Sequence, residues 1–215
     1  MAWVPNEQNP AGKTDARLHA PATARNREAI LAVLRPCLPE RGLVLEIASG
    51  SGEHVAFFAA SCGPDLVWQP SDPDPAARAS IDAWTADLRE TNVRPAVELH
   101  AGASDWPVAS ADAVLCINMI HIAPWEAAVG LMRGAGAILP PGGMLFLYGP
   151  YRREGRHTAP SNEAFNRDLR ARNPAWGVRD LETVAALGED SGFGPPAVHE
   201  MPANNLSLVF RRREA

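Results

Sequence analysis

The chain has 215 residues, 46% hydrophobic and 21% charged, which predicts one soluble globular domain. No apolar run is long enough to cross a bilayer and no signal-peptide pattern opens the chain, so we expect a cytoplasmic protein without a membrane partner. The net charge of −5 argues against binding to a nucleic-acid backbone, and three widely spaced cysteines indicate neither a disulfide framework nor a metal site, which favours a small-molecule partner.

The first 21 residues mix proline, glycine, asparagine and charge without periodicity. They predict a leader segment over 1–21 that is able to fold over a site, followed by a single domain over 22–215. Apolar residues then recur at helical spacing from about 22 to 36, and Arg25 and Asn26 lie in the polar first turn of this predicted helix.

A strand, a tight turn and a helix are predicted around residues 42–60. An apolar run ends at Glu46-Ile47, and Gly50 and Gly52 allow positive φ and a close approach to a ligand. The glycines alone are also compatible with a plain tight turn that binds no ligand. The carboxylate of Glu46 would repel a diphosphate, but it suits the ammonium group of S-adenosyl-L-methionine (SAM). A dinucleotide-binding turn is therefore disfavoured.

Motif I of class I SAM-dependent methyltransferases, E/D-x-G-x-G-x-G, is similar to the segment Glu46-Ile47-Ala48-Ser49-Gly50-Ser51-Gly52. Ala48 replaces the first glycine, which makes the backbone less free there. A methyltransferase-like family, of the DUF938 type, is also similar to this chain at several places: Arg25 to Glu28, Glu46 to His54, Trp68 to Asp72, Asn162 to Phe165, and Ala171 to Pro174.

This resemblance implies an α/β class I methyltransferase fold, in which a seven-stranded, mostly parallel, Rossmann-like sheet carries helices on both faces and ends in an antiparallel strand. It implies SAM as cofactor and S-adenosyl-L-homocysteine (SAH) as product. It also implies cofactor contacts from Arg25, Asn26 and the motif residues Glu46, Ala48, Ser49, Gly50 and Gly52.

A second strand is predicted over 66–72, and it ends in Asp72 about twenty residues beyond the glycine turn. In such folds an acid at this place accepts hydrogen bonds from ribose hydroxyls. The alternative is that Asp72 caps the next helix, predicted over 75–90.

A short third strand is predicted over 96–100, and Asp105 and Trp106 follow it. The resemblance implies that Asp105 accepts a hydrogen bond from the adenine amino group and that Trp106 lies against the ring. An Asx turn beside a core tryptophan is the alternative.

A central strand is predicted over 111–122, because this stretch is almost continuously apolar. Its polar residues, Asn118 and His121, lie near the carboxyl end, where ligands bind in open α/β sheets. We therefore expect both to face the methyl group as candidate catalytic residues, with Asn118 also contacting the cofactor. A purely structural histidine is the alternative for His121.

Polar residues continue after a predicted strand over 144–149, and residues 150–176 are predicted to form a lid or substrate-binding insertion. The expected acceptor contacts are Tyr148, Tyr151, His157, Asn162 and Asn166. Three arginines, Arg152, Arg153 and Arg156, would favour an anionic acceptor. A solvated loop followed by a short amphipathic helix is the alternative for this segment.

Four more elements complete the predicted domain: helices over 125–139 and 180–191, and a final pair of strands over 197–201 and 206–210. The predicted function is SAM-dependent methyl transfer to a small-molecule acceptor. A regulatory or interaction module that binds SAM or SAH without turnover is the alternative.

Overall fold

The structure is a computed structural model that describes residues 4–5, 15–86 and 92–214. Over these residues there are six α-helices: α1 (Pro21–Leu34), α2 (Glu53–Cys62), α3 (Pro75–Thr85), α4 (Trp125–Ile138), α5 (Pro160–Arg172) and α6 (Leu181–Asp190). Short 3-10 turns lie at Arg35–Cys37, Met119–His121 and Pro202–Asn204. None of the described helices is long and apolar enough to span a bilayer.

The strands form a small ribbon and a large sheet. The ribbon pairs β1 (Val4–Pro5) with β2 (Leu18–His19). The large sheet contains β3 (Gly42–Ile47), β4 (Leu66–Ser71), β5 (Ala113–Ile117), β6 (Met144–Arg153), β7 (Arg156–His157), β8 (Arg179–Asp180), β9 (Ala197–Met201) and β10 (Asn205–Arg211).

The main path of this sheet runs β4-β3-β5-β6-β10-β9, and the short strands β7 and β8 pair with the far end of β6. The first four strands of the path are parallel, whereas β10 is antiparallel to both β6 and β9. This is the class I methyltransferase architecture, with its antiparallel last strand.

Both faces of the sheet are covered, which explains why its central strands are apolar throughout. On one face Leu45, Val114 and Cys116 pack in a cluster with residues of α4 and α6. On the other face Val44 and Leu115 pack in a cluster with residues of α1, α2 and α3. Successive side chains of a strand point to opposite faces, so each central strand contributes to both clusters.

Four predicted elements differ from the observed ones. The strand predicted over 96–100 is reduced to isolated parallel bridges, Trp68 with Val93 and Ser71 with Val97, beside Pro95. The strand predicted over 111–122 ends at Ile117, because Asn118 adopts φ 63° and turns the chain. The helix predicted over 75–90 ends at Thr85, and the rest of that prediction reaches residues outside the described ranges.

The predicted insertion over 150–176 is the fourth difference. It is regular structure, because β6 continues to Arg153, pairs with β7 in a hairpin, and is followed by the thirteen-residue helix α5. A long strand and a helix of this kind form one wall of a cavity described below.

The described end of the predicted leader is held against the domain. The Leu18 N–H donates to Ser80 Oγ at 2.7 Å, and the Ala20 N–H donates to Glu53 Oε2 at 2.6 Å. Trp84 Nε1–H donates to the Leu18 carbonyl at 3.0 Å. Residues 18–20 therefore run over the start of α2 and the second half of α3 and lead directly into α1.

Candidate functional site

The glycine turn between β3 and α2 has three residues with positive φ: Ala48 at 55°, Gly50 at 61° and Gly52 at 89°. Gly52 is required for a second reason, because an added Cβ would lie 2.6 Å from the Ile81 Cα of α3. Ala48 holds a conformation that costs an L-residue about 1–2 kcal/mol. Position 48, where the sequence departs from motif I, therefore keeps the positive φ that is typical of glycine although its residue is alanine.

A first cavity, of about 290 Å³, lies at the carboxyl ends of β3, β4 and β5. Parallel strands place their carboxyl ends at one edge of a sheet, and ligands bind there in open α/β folds. The lining comes from the glycine turn, the start of α1 and the segment after β5: Ala20, Thr23, Glu46, Ala48, Ser49, Gly50, Ser51, His54, Asp72, Pro73, Ile117, Asn118, Met119, Ile122 and Ala123.

Glu46 is the buried acid of the first cavity. The residue is 2% exposed, and its Oε2 atom has no hydrogen-bond partner among the residues that the structure describes. Burial raises the Glu46 pKa from 4.5 to about 7; the Ser49 side chain acts against the rise and the charge of Asp72 adds to it. An orphaned carboxylate oxygen is costly to bury, so a cationic ligand group that reached Glu46 would relieve this cost.

Asp72 is the second acid of the first cavity, and its contacts differ. Its Oδ2 accepts from the Gly50 N–H at 3.0 Å and its Oδ1 accepts from the Asp74 N–H at 2.9 Å. Burial raises the Asp72 pKa, and these backbone hydrogen bonds lower it. The residue that caps α3 is Asp74, which accepts from the Ala76 N–H at 2.8 Å, so Asp72 is not the helix cap.

A second cavity, of about 340 Å³, adjoins the first. The two cavities share Asn118 and Ile122. The lining of the second comes from α1, the segment after β5, β6, α5 and the turn before β10: Ala22, Asn26, Asn118, His121, Ile122, Tyr148, Pro150, Ser161, Asn162, Phe165, Leu169, Arg172, Ala203 and Asn205.

His121 lies in this second lining and is 1% exposed. Its Nδ1 lies 3.4 Å from the Arg179 backbone N–H, and its Nε2 has no partner among the described residues. Gly149 makes room for it, since an added Cβ there would lie 2.5 Å from Nε2. Burial, and then the charge of Arg179, lower the His121 pKa from 6.5 to about 3. The imidazole is therefore neutral near pH 7.

Polar contacts connect the two cavities through α1. His54 Nε2 lies 2.9 Å from Asn26 Oδ1. Burial, and then the charge of Arg27, lower the His54 pKa to about 4, so a neutral ring holds the Asn26 amide. Burial raises the Tyr148 pKa, and interactions with the amides of Asn26 and Asn205 partly offset that rise. The Tyr148 hydroxyl is therefore neutral and faces amide groups.

The structure brings part of the predicted cofactor set together. Glu46, Ala48, Ser49, Gly50, Asp72 and Asn118 all line the first cavity. Gly52 shapes the turn without lining the cavity, Asn26 lines the second cavity, and Arg25 is exposed and lines neither.

The structure does not bring Asp105 and Trp106 to the first cavity. Asp105 is exposed, and the Trp106 ring packs so closely on α4 that a Cβ at Gly134 would collide with it. The ring is partly buried and packs against a core cluster. An apolar slot of about 490 Å³ continues the first cavity past Ala48 and Pro73, and the segment 99–103 lines it.

Of the residues predicted to face the methyl group or contact the acceptor, some line the second cavity and others do not. Asn118, His121, Tyr148 and Asn162 line the second cavity. Three others have structural positions: Tyr151 is fully buried with its ring edge-on to His121, Asn166 accepts from the Val178 N–H at 2.9 Å, and His157 lies in the β7 hairpin. The assignment of these three to an acceptor contact is corrected.

The predicted arginines also lie elsewhere. Arg152 forms an ion pair with Asp180, Arg153 lies 4.0 Å from Glu200, and Arg156 is exposed in the hairpin. None of the three lines either cavity. The arginine that does is Arg172.

Sequence reasoning missed His54, Phe165, Arg172 and Asn205. For the first three a signal was present, because each lies in a segment that carried the family resemblance. The described residues contain no group of three or more His, Cys, Asp or Glu side chains that could hold a metal ion.

Solved structures share this fold at low sequence identity. Human N-acetylserotonin methyltransferase in complex with SAM is 14% identical, with a TM-score of 0.74 over 90% of this chain and 53% of its own. An O-methyltransferase family protein from Burkholderia thailandensis is 18% identical, with a TM-score of 0.71 over 88% and 59%. A putative O-methyltransferase from Nostoc punctiforme is 17% identical, with a TM-score of 0.74 over 89% and 58%. The chain spans a little more than half the length of these relatives.

A family model matches almost the whole chain. Residues 17–212 match the family described as "Protein of unknown function (DUF938)". This range contains every residue that lines the two cavities. The protein belongs to the DUF938 family.

Proposed function

We propose that the protein transfers the methyl group of SAM to a small-molecule acceptor. One observation carries this proposal: two cavities with different linings meet at Asn118 and Ile122, beyond the carboxyl end of the central strand β5. The first cavity would hold the cofactor and the second the acceptor. Bound SAM would supply a methyl group activated by its sulfonium.

The residues of the first cavity fit such a cofactor. The unpartnered Oε2 of Glu46 would accept from the ammonium group. Each Asp72 oxygen already accepts one backbone N–H and keeps a further lone pair, which a ribose hydroxyl can use. The adjoining slot, lined by Leu99, Met119 and neighbouring alanines, would take the adenine ring.

The residues of the second cavity favour positioning over strong base catalysis. The His121 pKa of about 3 makes its ring a weak base, and the raised Tyr148 pKa keeps the hydroxyl protonated. An acceptor held in line with the reacting bond needs no strong base, because orientation and exclusion of water can supply much of the rate. We assign Asn118, Tyr148 and Asn162 the role of orienting the acceptor.

Two measurements test this function. Calorimetry should detect SAH binding to the full chain. Incubation with SAM and pools of small metabolites should release SAH in at least one pool, and Asn118→Ala should reduce that release. A protein that binds SAH and releases none with every pool would contradict methyl transfer and favour a regulatory module.

A further inference from the structure

The rim of the second cavity carries one positive charge. Arg172 is the last residue of α5, and its guanidinium lies over the Trp176 ring, 5.2 Å from the ring centre. Arg172 makes no ion pair with the residues that the structure describes. Of the described residues that line this cavity, no other is charged near pH 7, since His121 is neutral.

Apart from Arg172, the second cavity has a group of polar, uncharged side chains. Asn118 lies where this cavity adjoins the first, and the Tyr148 hydroxyl interacts with the amides of Asn26 and Asn205. Because no carboxylate lines the cavity within the described parts of the chain, an ammonium group would find no ion pair inside it. Amides and a hydroxyl suit an uncharged hydroxyl group, since each can donate to it or accept from it.

Apolar side chains also line the second cavity. They come from the segment after β5, from β6 and from α5: Ile122, Pro150, Phe165 and Leu169. Phe165 is one of the few large apolar side chains that are exposed. Cavities of about 300–1,000 Å³ usually hold small molecules, and this one is near the lower limit of that range.

A helix C-terminus alone would explain why an arginine ends α5, because cations are favourable there. It would explain Arg170 equally well, yet Arg172 is the one that lines the cavity. The Trp176 ring also lies within cation–π distance of the guanidinium, which favours the position of the guanidinium beside the cavity. The favourable charge at a helix C-terminus therefore does not fully explain why an arginine lies at position 172, beside the cavity.

We infer that the acceptor is a small carboxylic acid with an apolar body, whose carboxylate binds Arg172 at the rim and whose uncharged hydroxyl group lies at Asn118 and Tyr148. The transfer would form a bond from the hydroxyl oxygen to the methyl carbon and break the bond from that carbon to the sulfonium sulfur, which leaves SAH, and the hydroxyl proton would pass to water. This inference rests on the proposed function and deepens it. It reassigns the anionic preference from the arginines of the β6–β7 hairpin to the end of α5. The distance between Arg172 and the pair Asn118 and Tyr148 would then determine which hydroxy acids fit the cavity.

Matched probes test the inference by binding, with no turnover needed. The carboxylate probes are 4-hydroxyphenylacetate and 6-hydroxyhexanoate, and each has its uncharged primary amide as a partner. Each is titrated by calorimetry against the full chain saturated with SAH. We expect at least one carboxylate to bind roughly three- to tenfold more tightly than its amide, and the preference to shrink as salt is raised.

Two variants test whether the preference for the carboxylate over its amide depends on Arg172. Arg172→Ala should abolish this preference. Arg167→Ala removes a positive charge from the exposed side of the same helix, where Arg167 lies 3.7 Å from Glu163, and should keep it. Equal binding of acid and amide, no binding of any probe, or a preference that survives Arg172→Ala would overturn the inference.

The two proposals fail in different ways. If SAH does not bind the wild-type chain, the proposed function fails at that step. The carboxylate preference is then measured on the chain without SAH, and its presence or absence decides the role of Arg172 alone. If SAH binds and no carboxylate preference is found, the inference fails while the cofactor site stands.

Discussion

Glu46 and Asp72 face one cavity from the ends of neighbouring parallel strands, and they differ in how their oxygens are satisfied. Asp72 accepts a backbone N–H at each oxygen, whereas Glu46 leaves Oε2 without a partner. Asp72 thus maintains the shape of the unliganded site. Glu46 is the residue that gains most from a cationic ligand.

The first prediction concerns stability and pH. The folded-state pKa of Glu46, about 7, lies above its ordinary value of 4.5, so its stabilisation is full below about pH 4.5 and is lost as the pH rises through 7. Relative to Glu46→Gln, the wild type should lose about 3 kcal/mol of unfolding free energy between pH 4.5 and pH 8. Urea unfolding of both proteins at several pH values measures this loss.

Comparison with the Gln variant removes other titrations. The lowered pKa values of His54 and His121 destabilise both proteins equally as the pH falls, so they cancel in the difference. A stability difference that stays constant with pH would show that the Glu46 carboxyl titrates in its ordinary range.

The second prediction concerns SAH affinity. An ionised Glu46 is needed to hold the ammonium group, so wild-type affinity should rise as the pH increases from about 6 to 7.5. Glu46→Gln should bind roughly tenfold more weakly at pH 7.5 and lose this pH dependence, since a charge-assisted hydrogen bond is worth about 1.5–3 kcal/mol. Calorimetry measures both effects.

Asp105→Ala is the matched control for this prediction. It also removes a carboxylate, but Asp105 is exposed and lines neither cavity nor the adjoining slot. Its affinity for SAH should equal that of the wild type. A clear loss in Asp105→Ala would restore the adenine contact that the resemblance implied.

The third prediction separates Asp72 from Asp74. Asp72→Ala leaves the Gly50 and Asp74 N–H groups without their acceptors, so it should lower both SAH affinity and the unfolding free energy, the latter by about 1–3 kcal/mol. Asp74→Ala removes the cap of α3 and should cost about 1 kcal/mol without weakening SAH binding. Chemical unfolding and calorimetry on the two variants test this, and equal affinity losses would contradict it.

The fourth prediction concerns the two ends of α2. Gly52 and Gly63 have nearly the same φ, 89° and 86°, but an added Cβ meets the Ile81 backbone at Gly52 and no atom of the described residues within 4 Å at Gly63. Gly63→Ala should cost about 1–3 kcal/mol, because its ψ of 170° places it in a region that almost only glycine adopts. Gly52 has ψ −6°, in the left-handed region, so Gly52→Ala should cost about 1–2 kcal/mol for that conformation and about 1–3 kcal/mol more for the clash with α3. Thermal and urea unfolding would disagree with this account if both changes cost the same.

The fifth prediction concerns His121. With a pKa of about 3, its imidazole should keep one set of NMR nitrogen shifts between about pH 5 and pH 8. His121→Gln identifies the signals. Any pH dependence of methyl transfer in that range should then persist in His121→Gln. A titration of His121 near pH 7 would instead support its role as a general base.

Several elements of the fold follow from local sequence. Residues 42–62 form the predicted strand, turn and helix, because an apolar run, two glycines and helical spacing each act within a few residues. The ends of the elements were less predictable. Asn118 ends β5 inside an apolar stretch: its N–H still donates to the Tyr148 carbonyl of β6 at 2.8 Å, and its left-handed φ then turns the chain away from the sheet.

By itself, the sequence determined the class I fold and located Glu46 and Asp72, because a carboxylate before a glycine turn and an acid after the next strand are local patterns. Only the tertiary structure decided which polar residues share a cavity. Asn26, Tyr148, Arg172 and Asn205 come from four elements of the chain, and the order of strands around β6 brings them together. The same packing directs the Trp106 ring into the core, because Gly134 of α4 leaves space for it there. Residue type and spacing describe what a side chain can do, whereas the sheet order and the packing of the helices decide what it meets.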